Sequence, residues 1–436
     1  MDLIELTHRI RPKYLPFIAI FFSIIVLLIF WKIVPGGSFN QNDKGDFDYF
    51  YLPVGQNIAH GQGITLHGKA ALDYPPGYPI IVAASLRLAK LMGCGDELIF
   101  RLTIVLLFAM GALLIFWLAG KIWDPYQALL ASAAWSCYPV VLWATKQPST
   151  ELPFSVILYA TLLCTLGAWL STKRNALLFV IAGILCGFSM LIRPITIGLG
   201  VVFAVLILFG RRYHPRKRIV FALCLVAGNL ATVLPWEVWA YSKTHEIILL
   251  SSNTRASISL FDGLAFAVWN PEGLRKGITV PADVKELMTE AVEKYLRNIE
   301  TTPPRELRRF LIEKFKTKPL TVIKLMAIKT VRSWYGTFSN RFETPIALVQ
   351  IVYVLLLVWA TVLLWRKRPD CHFMLIAGIA VLGYFWGLTI CVDPLVRYMM
   401  PALGALIIFF PAIPAFFNCP PGEKDVMTKK TTITTR

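Results

Sequence analysis

The chain is short of charge, and shortest of acids. Of its 436 residues only 26 are Asp or Glu against 44 Lys or Arg, and charged residues make up 16%, where soluble domains carry roughly 25%. There are only six histidines. The eight cysteines fall mostly inside apolar stretches, with Cys94 in a clearly polar connection. These shortages exclude a disulfide framework and a disordered, highly charged chain. What is abundant is apolar: 56% of residues are hydrophobic and the mean hydropathy is +0.60, more than a soluble interior can hide. The formal charge of 44 − 26 = +18 suggests a nucleic-acid surface unless the cations sit at the ends of apolar segments, and that is where many of them are.

Ten segments have the length of a membrane helix, about 17–25 residues: 14–34, 99–120, 126–145, 151–170, 176–192, 194–210, 218–236, 345–365, 372–391 and 398–417. Backbone groups in lipid must be satisfied within each segment, so the fold class expected is an all-α polytopic membrane protein with about ten transmembrane helices. Arg9, Arg11 and Lys13 precede the first span and place the N-terminus in the cytoplasm. Alternation then assigns to the cytoplasm Lys121; Lys173 and Arg174; Arg211, Arg212, Arg216 and Lys217; Arg366, Lys367 and Arg368; and Lys424, Lys429 and Lys430 in the tail. Short loops on the other side hold Lys146, Arg193 and Arg397. Residues 78–92 are apolar but short and interrupted by Arg87 and Lys90, so they read as an interfacial or re-entrant helix. The first span has no small-x-small site after it and reads as an uncleaved anchor. The whole of 1–436 reads as a single domain with cytoplasmic tails at 1–13 and 418–436 and two large outer-face loops, 35–98 and 237–344, containing interfacial helices. Connections this long are usually functional.

The first loop holds two acids beside lipid, Asp46 and Asp48, each of which needs a reason. A carboxylate there can take a proton from an attacking hydroxyl or help to hold a divalent cation. At i, i+2 the pair shares a side of an extended strand but diverges by about 200° on a helix, where both would simply favour the helix start. Tyr74-Pro75-Pro76-Gly77-Tyr78-Pro79 is a rigid turn into the interfacial helix. His60 and His67 have no recognised ligand spacing. In the second loop, the stretch from Lys294 to Arg341 is strongly basic: Arg297, Arg305, Arg308, Arg309, Lys314, Lys316, Lys318, Lys324, Lys329 and Arg332 meet only Glu300, Glu306 and Glu313. Residues 305–316 place Leu307, Phe310, Leu311 and Phe315 near one helical face, and 320–335 alternates apolar turns with cations. Such helices lie in the interface and attract anionic lipid head groups.

The pattern from Asp46 to Gly61 followed by YPPGYP resembles the GT-C superfamily of membrane glycosyltransferases, in particular the bacterial protein mannosyltransferase-like and aminoarabinose transferase-like enzymes. Further landmarks follow in order. Ser149-Thr150-Glu151 is similar to the family's second acidic motif, and Leu191-Ile192-Arg193-Pro194 to its L-x-R-P turn. Pro235-Trp236 with Tyr241 and Phe261-Asp262-Gly263 is similar to the segment opening its second large loop, and Arg397-Tyr398-x-x-Pro401 to the motif entering its last helix. The chain departs from the pattern at Glu237-Val238, where the family often carries Arg-Asn, and Glu151 stands alone where some members have two acids.

The resemblance implies transfer of a sugar from a polyprenyl-phosphate-linked donor to an envelope lipid, glycan or protein acceptor on the outer face of the inner (plasma) membrane. Three things are needed: a base for the acceptor, positive groups for the phosphate leaving group, and an apolar groove for the lipid tail. Asp46 matches the family's first-loop acid and is expected to be the base, with Asp48 as its fallback. Glu151 is expected to orient the acceptor. Arg193 and Arg397 are expected to pair with phosphate oxygens, with Lys146, Tyr74 and Tyr398 as further substrate-binding residues. Asp393 is expected to cap its turn or pair with Arg397. No cofactor is implied with certainty; a divalent cation stays open, and no metal-ligand set is assigned. Nucleic acid is not an expected partner. Two other classes compete: a transporter or flippase for a lipid-linked sugar or other polar solute, which needs polar residues within several spans, and a non-catalytic scaffold that binds lipid through the basic loop.

Overall fold

The computed structural model describes residues 11–34, 45–171, 175–210, 212–270, 273 and 275–417. The expectations resting on Arg9, the turn at 35–44, Lys173, Arg174, Arg211 and the tail from 418 fall outside the described residues. The elements in chain order are α1 (Leu15–Ile33), α2 (Leu52–Ala59), a two-stranded ribbon of β1 (Thr65–Leu66) and β2 (Lys69–Ala70), α3 (Gly77–Met92), α4 (Asp96–Ala119), α5 (Pro125–Ser136), α6 (Pro139–Trp143), α7 (Glu151–Leu170), α8 (Asn175–Ile192), α9 (Leu199–Phe209), α10 (Pro215–Thr244), α11 (Asn253–Ala265), α12 (Ala282–Tyr295), α13 (Pro304–Thr317), α14 (Pro319–Arg332), α15 (Glu343–Lys367), α16 (His372–Cys391), α17 (Val396–Leu406) and α18 (Ala412–Phe417).

Among the described residues eight helices are long and apolar enough to cross a membrane, the last counted through Val396–Phe416. The chain is therefore an all-α multi-pass membrane protein. The two other expected spans are helical but short. Segment 126–145 breaks at Cys137 and Tyr138 into α5 and α6, because Pro139 disfavours helical geometry in the residue before it. Segment 194–210 yields a 3-10 turn, Pro194–Thr196, and the eleven residues of α9. Conversely, α10 carries Pro235 inside it and runs on to Thr244, so the second connection begins eight residues later than 237.

The burial of the spans shows what they face. In α1 the buried residues are Leu15, Ala19, Ser23 and Leu27, a stripe at i, i+4 spacing, while Phe17, Phe21 and Leu28 stay exposed. A stripe this narrow with large apolar groups around it is a helix clasped on one side and open to lipid on the other. Hydroxyls within the spans are satisfied locally: Ser155 Oγ donates to Glu151 O at 2.7 Å, Thr161 Oγ1 to Ile157 O at 2.8 Å and Thr389 Oγ1 to Phe385 O at 2.6 Å.

Helices α11–α14 have a core of their own, built from Phe261, Leu264, Val284, Leu287, Leu307, Phe310, Val322 and Leu325 among others. Of the four apolar residues expected on one face of α13, Leu307 and Phe310 are buried and Phe315 is exposed. The basic stretch is less free than its local sequence suggests. Lys314 pairs with Glu290 at 2.5 Å, Lys318 with Glu286 at 3.0 Å and Lys324 with Asp283 at 2.9 Å. These three acids form a stripe on α12, just before the stretch whose charge was counted. Lys329 and Arg332 are fully buried: Lys329 Nζ donates to Val392 O at 2.7 Å, and Arg332 Nη2 reaches Glu343 Oε1 at 2.6 Å. They anchor the helical unit to the end of α16 and the start of α15 and are not placed for a lipid surface.

The same seam brings Gly263 against the chain at Val392, so closely that a Cβ would lie 1.6 Å from Val392 O. Beside it Asp262 pairs with Arg275 at 3.1 Å. Burial, then the nearby Asp393 charge, outweighs that pairing and pushes the Asp262 carboxyl up to about 6. Asp393 is buried, and the turn closes through its backbone oxygen, which accepts the Leu395 N–H at 2.8 Å, while its Oδ1 makes no hydrogen bond with a described residue. Two outcomes follow. Gly263→Val forces the helical unit off Val392, and the overpacking is expected to cost about 2 kcal/mol, read as a lower Tm and faster proteolysis between α11 and α12. The unfolded Asp262 titrates near about 3.9 and the folded one near 6, so between these values the folded chain holds the extra proton and loses stability as pH rises. The Tm advantage of Asp262→Asn over the parent chain should therefore be largest at pH near 8 and shrink toward pH 5.

Candidate active site

The first carboxylate is placed by a short irregular helix. Asp46 precedes a π turn, Phe47–Tyr51, that continues into α2; single π turns are frequent at functional sites. Its backbone is helical (φ −50°, ψ −28°), so Asp46 and Asp48 diverge around the turn and do not form a joint chelating pair. Asp46 Oδ1 accepts the Tyr74 hydroxyl at 2.7 Å and an Arg255 Nη2 contact at 3.4 Å. Both contacts fall on Oδ1. The Asp46 side chain is 42% exposed, open enough for an incoming group. Asp48 lies two residues on, half-buried on the same turn.

Tyr74 owes its place to the proline-rich turn. Gly77 begins α3 with its Cα pressed against the end of α8, where a Cβ would lie 2.5 Å from Leu191 O. Only glycine allows that approach, and it sets the YPPGYP turn beside the residues leading to Arg193. Tyr74 then packs edge-on to Phe50 at 4.9 Å and beside Tyr51 at 5.0 Å, with the Arg255 guanidinium 4.7 Å over its ring. Burial is the main cause that holds the Tyr51 and Tyr74 phenols well above their ordinary values, with the Asp46 charge adding to it. Both stay neutral hydrogen-bond donors at any working pH.

The second carboxylate is buried. Glu151 opens α7 and is 7% exposed. Arg193, in the extended residue between α8 and the Pro194 turn, brings Nη1 to 3.0 Å from Glu151 Oε1, and Arg397 of α17 brings Nε to 3.9 Å from the same oxygen. Tyr398 completes the group: Arg193 lies 5.0 Å over its ring, and Arg397 Nη2 donates to its hydroxyl at 3.3 Å. Neither Arg193 Nη1 nor Arg397 Nε is aligned for a hydrogen bond with any described residue. Tyr51 links the two groups, since it feels the charges of Asp46, Arg193, Arg255 and Glu151 together. The cluster sets three guanidinium groups against two carboxylates, 3 − 2 = +1.

Six of the eight residues expected at the site thus gather in one polar cluster, Asp46 with Tyr74 and Glu151 with Arg193, Arg397 and Tyr398. Asp48 is adjacent. Lys146 is not part of it, because its Nζ caps the end of the first span by donating to Val34 O and lies 5.7 Å over Phe30. Arg397 pairs with Glu151 and not with Asp393. Arg255 was missed. It stands alone in a polar stretch with no periodic signal, and the clue was Ser252, an N-cap three residues before it that starts a helix and turns position 255 inward. Among the described residues no three His, Cys, Asp or Glu side chains gather as a metal would require.

The architecture and this cluster define a multi-pass membrane protein with two carboxylates and three arginines gathered at the ends of its helices. Residues 73–239 match the family model of dolichyl-phosphate-mannose-protein mannosyltransferases. Solved structures of similar fold include the oligosaccharyltransferase AglB of Archaeoglobus fulgidus in complex with an inhibitory peptide and a dolichol-phosphate, at TM-score 0.57 and 12% identity over 93% of this chain and 51% of that one. The same enzyme tethered to an acceptor peptide aligns at TM-score 0.58 and 11% identity, over 93% and 50% of the two chains. ArnT from Cupriavidus metallidurans bound to undecaprenyl phosphate overlaps more loosely, at TM-score 0.40 and 15% identity over 90% of this chain and 77% of that one. The chain spans about half the length of the oligosaccharyltransferase structures. No curated protein matches it in sequence.

Removing the buried acid should be felt as instability before anything else. Glu151→Gln leaves Arg193 buried without its counter-charge, at an expected cost of about 3 kcal/mol, seen as a lower Tm in detergent. Arg397→Gln, whose side chain is 41% exposed, should cost much less. Equal losses in the two variants would refute this division.

Proposed function

We propose that the chain moves a sugar from a polyprenyl-phosphate-linked donor to an acceptor hydroxyl or amine. The reaction would take place on the outer face of the inner (plasma) membrane, with both termini in the cytoplasm. The supporting observation is the pair of arginines around Glu151, with donor atoms left without hydrogen bonds in a cluster of net positive charge. A phosphate is the anion that such a cluster suits. The dolichol-phosphate held by the fold-related oligosaccharyltransferase agrees with this chemistry.

In this reading Asp46 is the base. Oδ1 is anchored by Tyr74 and Arg255, which leaves Oδ2 to take the proton from the acceptor as its oxygen or nitrogen attacks the anomeric carbon. The bond from that carbon to the phosphate oxygen breaks, and its electron pair stays on the phosphate. Arg193 and Arg397 meet the charge that develops there, and the configuration at the sugar inverts. Glu151 keeps the two arginines in place and, by partly neutralising them, prevents the product phosphate from being held too tightly. The acceptor is an envelope lipid, glycan or protein. The exposed basic residues of α13, Arg305, Arg308 and Arg309, would suit anionic lipid head groups.

Asp46→Asn should lower transfer by roughly 10²–10⁴-fold while leaving the Kd for polyprenyl phosphate, the product common to all such donors, within about twofold. Arg193→Lys with Arg397→Ala should weaken that Kd at least about tenfold. Envelope glycans and lipids compared by mass spectrometry between cells with and without Asp46→Asn report the transfer. Full activity of Asp46→Asn would remove the base, and unaltered phosphate binding in the arginine variant would remove the anion site.

A further inference from the structure

The position where the chain departs from the family pattern has a visible job. Glu237 lies in the last turns of α10, and its Oε1 accepts the Leu250 N–H at 2.7 Å. That amide belongs to an unusual turn. Leu249 and Leu250 both have positive φ, +47° and +76°, a region that bulky side chains avoid. Such backbone persists only where its surroundings hold it, and it concentrates at functional sites. Here Ile248 and Leu250 are buried against Met190, Leu191, Val233 and Trp236, while Ile247 and Leu249 point outward and are exposed.

Two residues on, Ser252 connects this turn to the cleft. Its N–H donates to Leu72 O at 2.9 Å and its hydroxyl to Asp73 Oδ1 at 2.7 Å, next to Tyr74. The same hydroxyl oxygen accepts the Arg255 N–H at 3.2 Å as the cap of α11. Arg255 then reaches Asp46 at 3.4 Å. The chain of contacts runs from Glu237 through the Leu250 amide to the Ser252 cap, and from there to Arg255 and Asp46.

We infer that Glu237 is a positioning residue: by holding the strained Leu249–Leu250 turn it sets the Ser252 cap, and so aims Arg255 at Asp46. The inference rests on the proposed reaction for its kinetic consequence but not for its structural one. A neighbouring Arg or Asn would serve the 249–250 turn differently, whereas a carboxylate at 237 is an acceptor without a competing donor, suited to an amide that local backbone cannot satisfy.

The test uses the full chain in lipid nanodiscs and four variants. Hydrogen exchange at Leu250–Arg255 is the readout independent of reaction, and release of polyprenyl phosphate from polyprenyl-phosphate mannose is the kinetic one. In Glu237→Ala the exchange should accelerate, and kcat should fall, each by about tenfold or more, the effect of leaving the Leu250 amide without its acceptor, with KM little changed. Glu237→Gln keeps the accepting oxygen and should stay near the parent in both. Leu249→Gly, which removes the strain at an exposed position, should restore most of the kcat lost in Glu237→Ala. The inference is overturned if exchange in Glu237→Ala matches the parent, if Glu237→Gln is as impaired as Glu237→Ala, or if Leu249→Gly restores nothing. Arg255→Ala separates the two proposals: undiminished release there would sink the role given to Arg255 in the reaction, while the exchange results would still decide the turn.

Discussion

A carboxylate buried at the lipid boundary is tolerable only with its counter-charges in place, and Glu151 imposes that condition on the rest of the molecule. Its partners come from far along the chain, Arg193 after α8 and Arg397 at the head of α17. In low dielectric an ion pair repays its desolvation only with close geometry, so the ends of three spans must meet within a few ångströms. Much of the local architecture follows. The start of α3 presses on the end of α8 through Gly77, which brings Tyr74 and Tyr78 to the rim. The turn before α17 is held by Lys329 at Val392 and by the Gly336 carbonyl, which accepts the Val396 N–H at 2.9 Å. The helical unit α11–α14 thus braces the segment that delivers Arg397.

The two acids divide the work by their surroundings. Asp46 is half-exposed and shares one oxygen with a tyrosine and an arginine; Glu151 is enclosed by two arginines and held by the fold. Only the first has an oxygen within reach of an incoming group. A buried carboxylate that must keep two guanidinium groups paired cannot take up a proton without disturbing both of them. One acid thus stays open to an incoming group while the other organises the arginines around it.

Much of this was legible in the sequence, and the exceptions have physical causes. Helices in lipid must be long and apolar, so eight of the ten spans expected from composition are long helices among the described residues, and the proline that opens α6 explains why segment 126–145 is broken. The acids stood out because so few exist, and the landmark motifs put Asp46, Glu151, Arg193 and Arg397 in chain order. What could not be read was pairing across distance. Lys146 looked like one more cation at the outer end of a span, yet it caps α1, more than a hundred residues away in the chain. The basic run after Lys294 looked like a lipid-binding face, yet its charge is partly balanced by Asp283, Glu286 and Glu290 on the helix before it. Lys329 and Arg332 looked interfacial from the amphipathic pattern and are buried, because their side of α14 packs on the end of α16 and the start of α15 while Ile323 and Val331 take the exposed side.

Arg255 shows the remaining limit most clearly. Its neighbours carry only the faint signal of the Ser252 cap, since its position depends on that helix start and on a turn whose backbone its own residue types disfavour. Two leucines at positive φ are a local conflict with propensity, and such conflicts survive where other contacts outweigh them. Here those contacts are a buried apolar cluster on one side and a glutamate on the other. The residue that departs from the family pattern and the residue that no pattern marked are therefore parts of one arrangement. A chain that replaced Glu237 without also changing the 249–250 turn would keep every recognisable motif and still misplace the guanidinium beside Asp46.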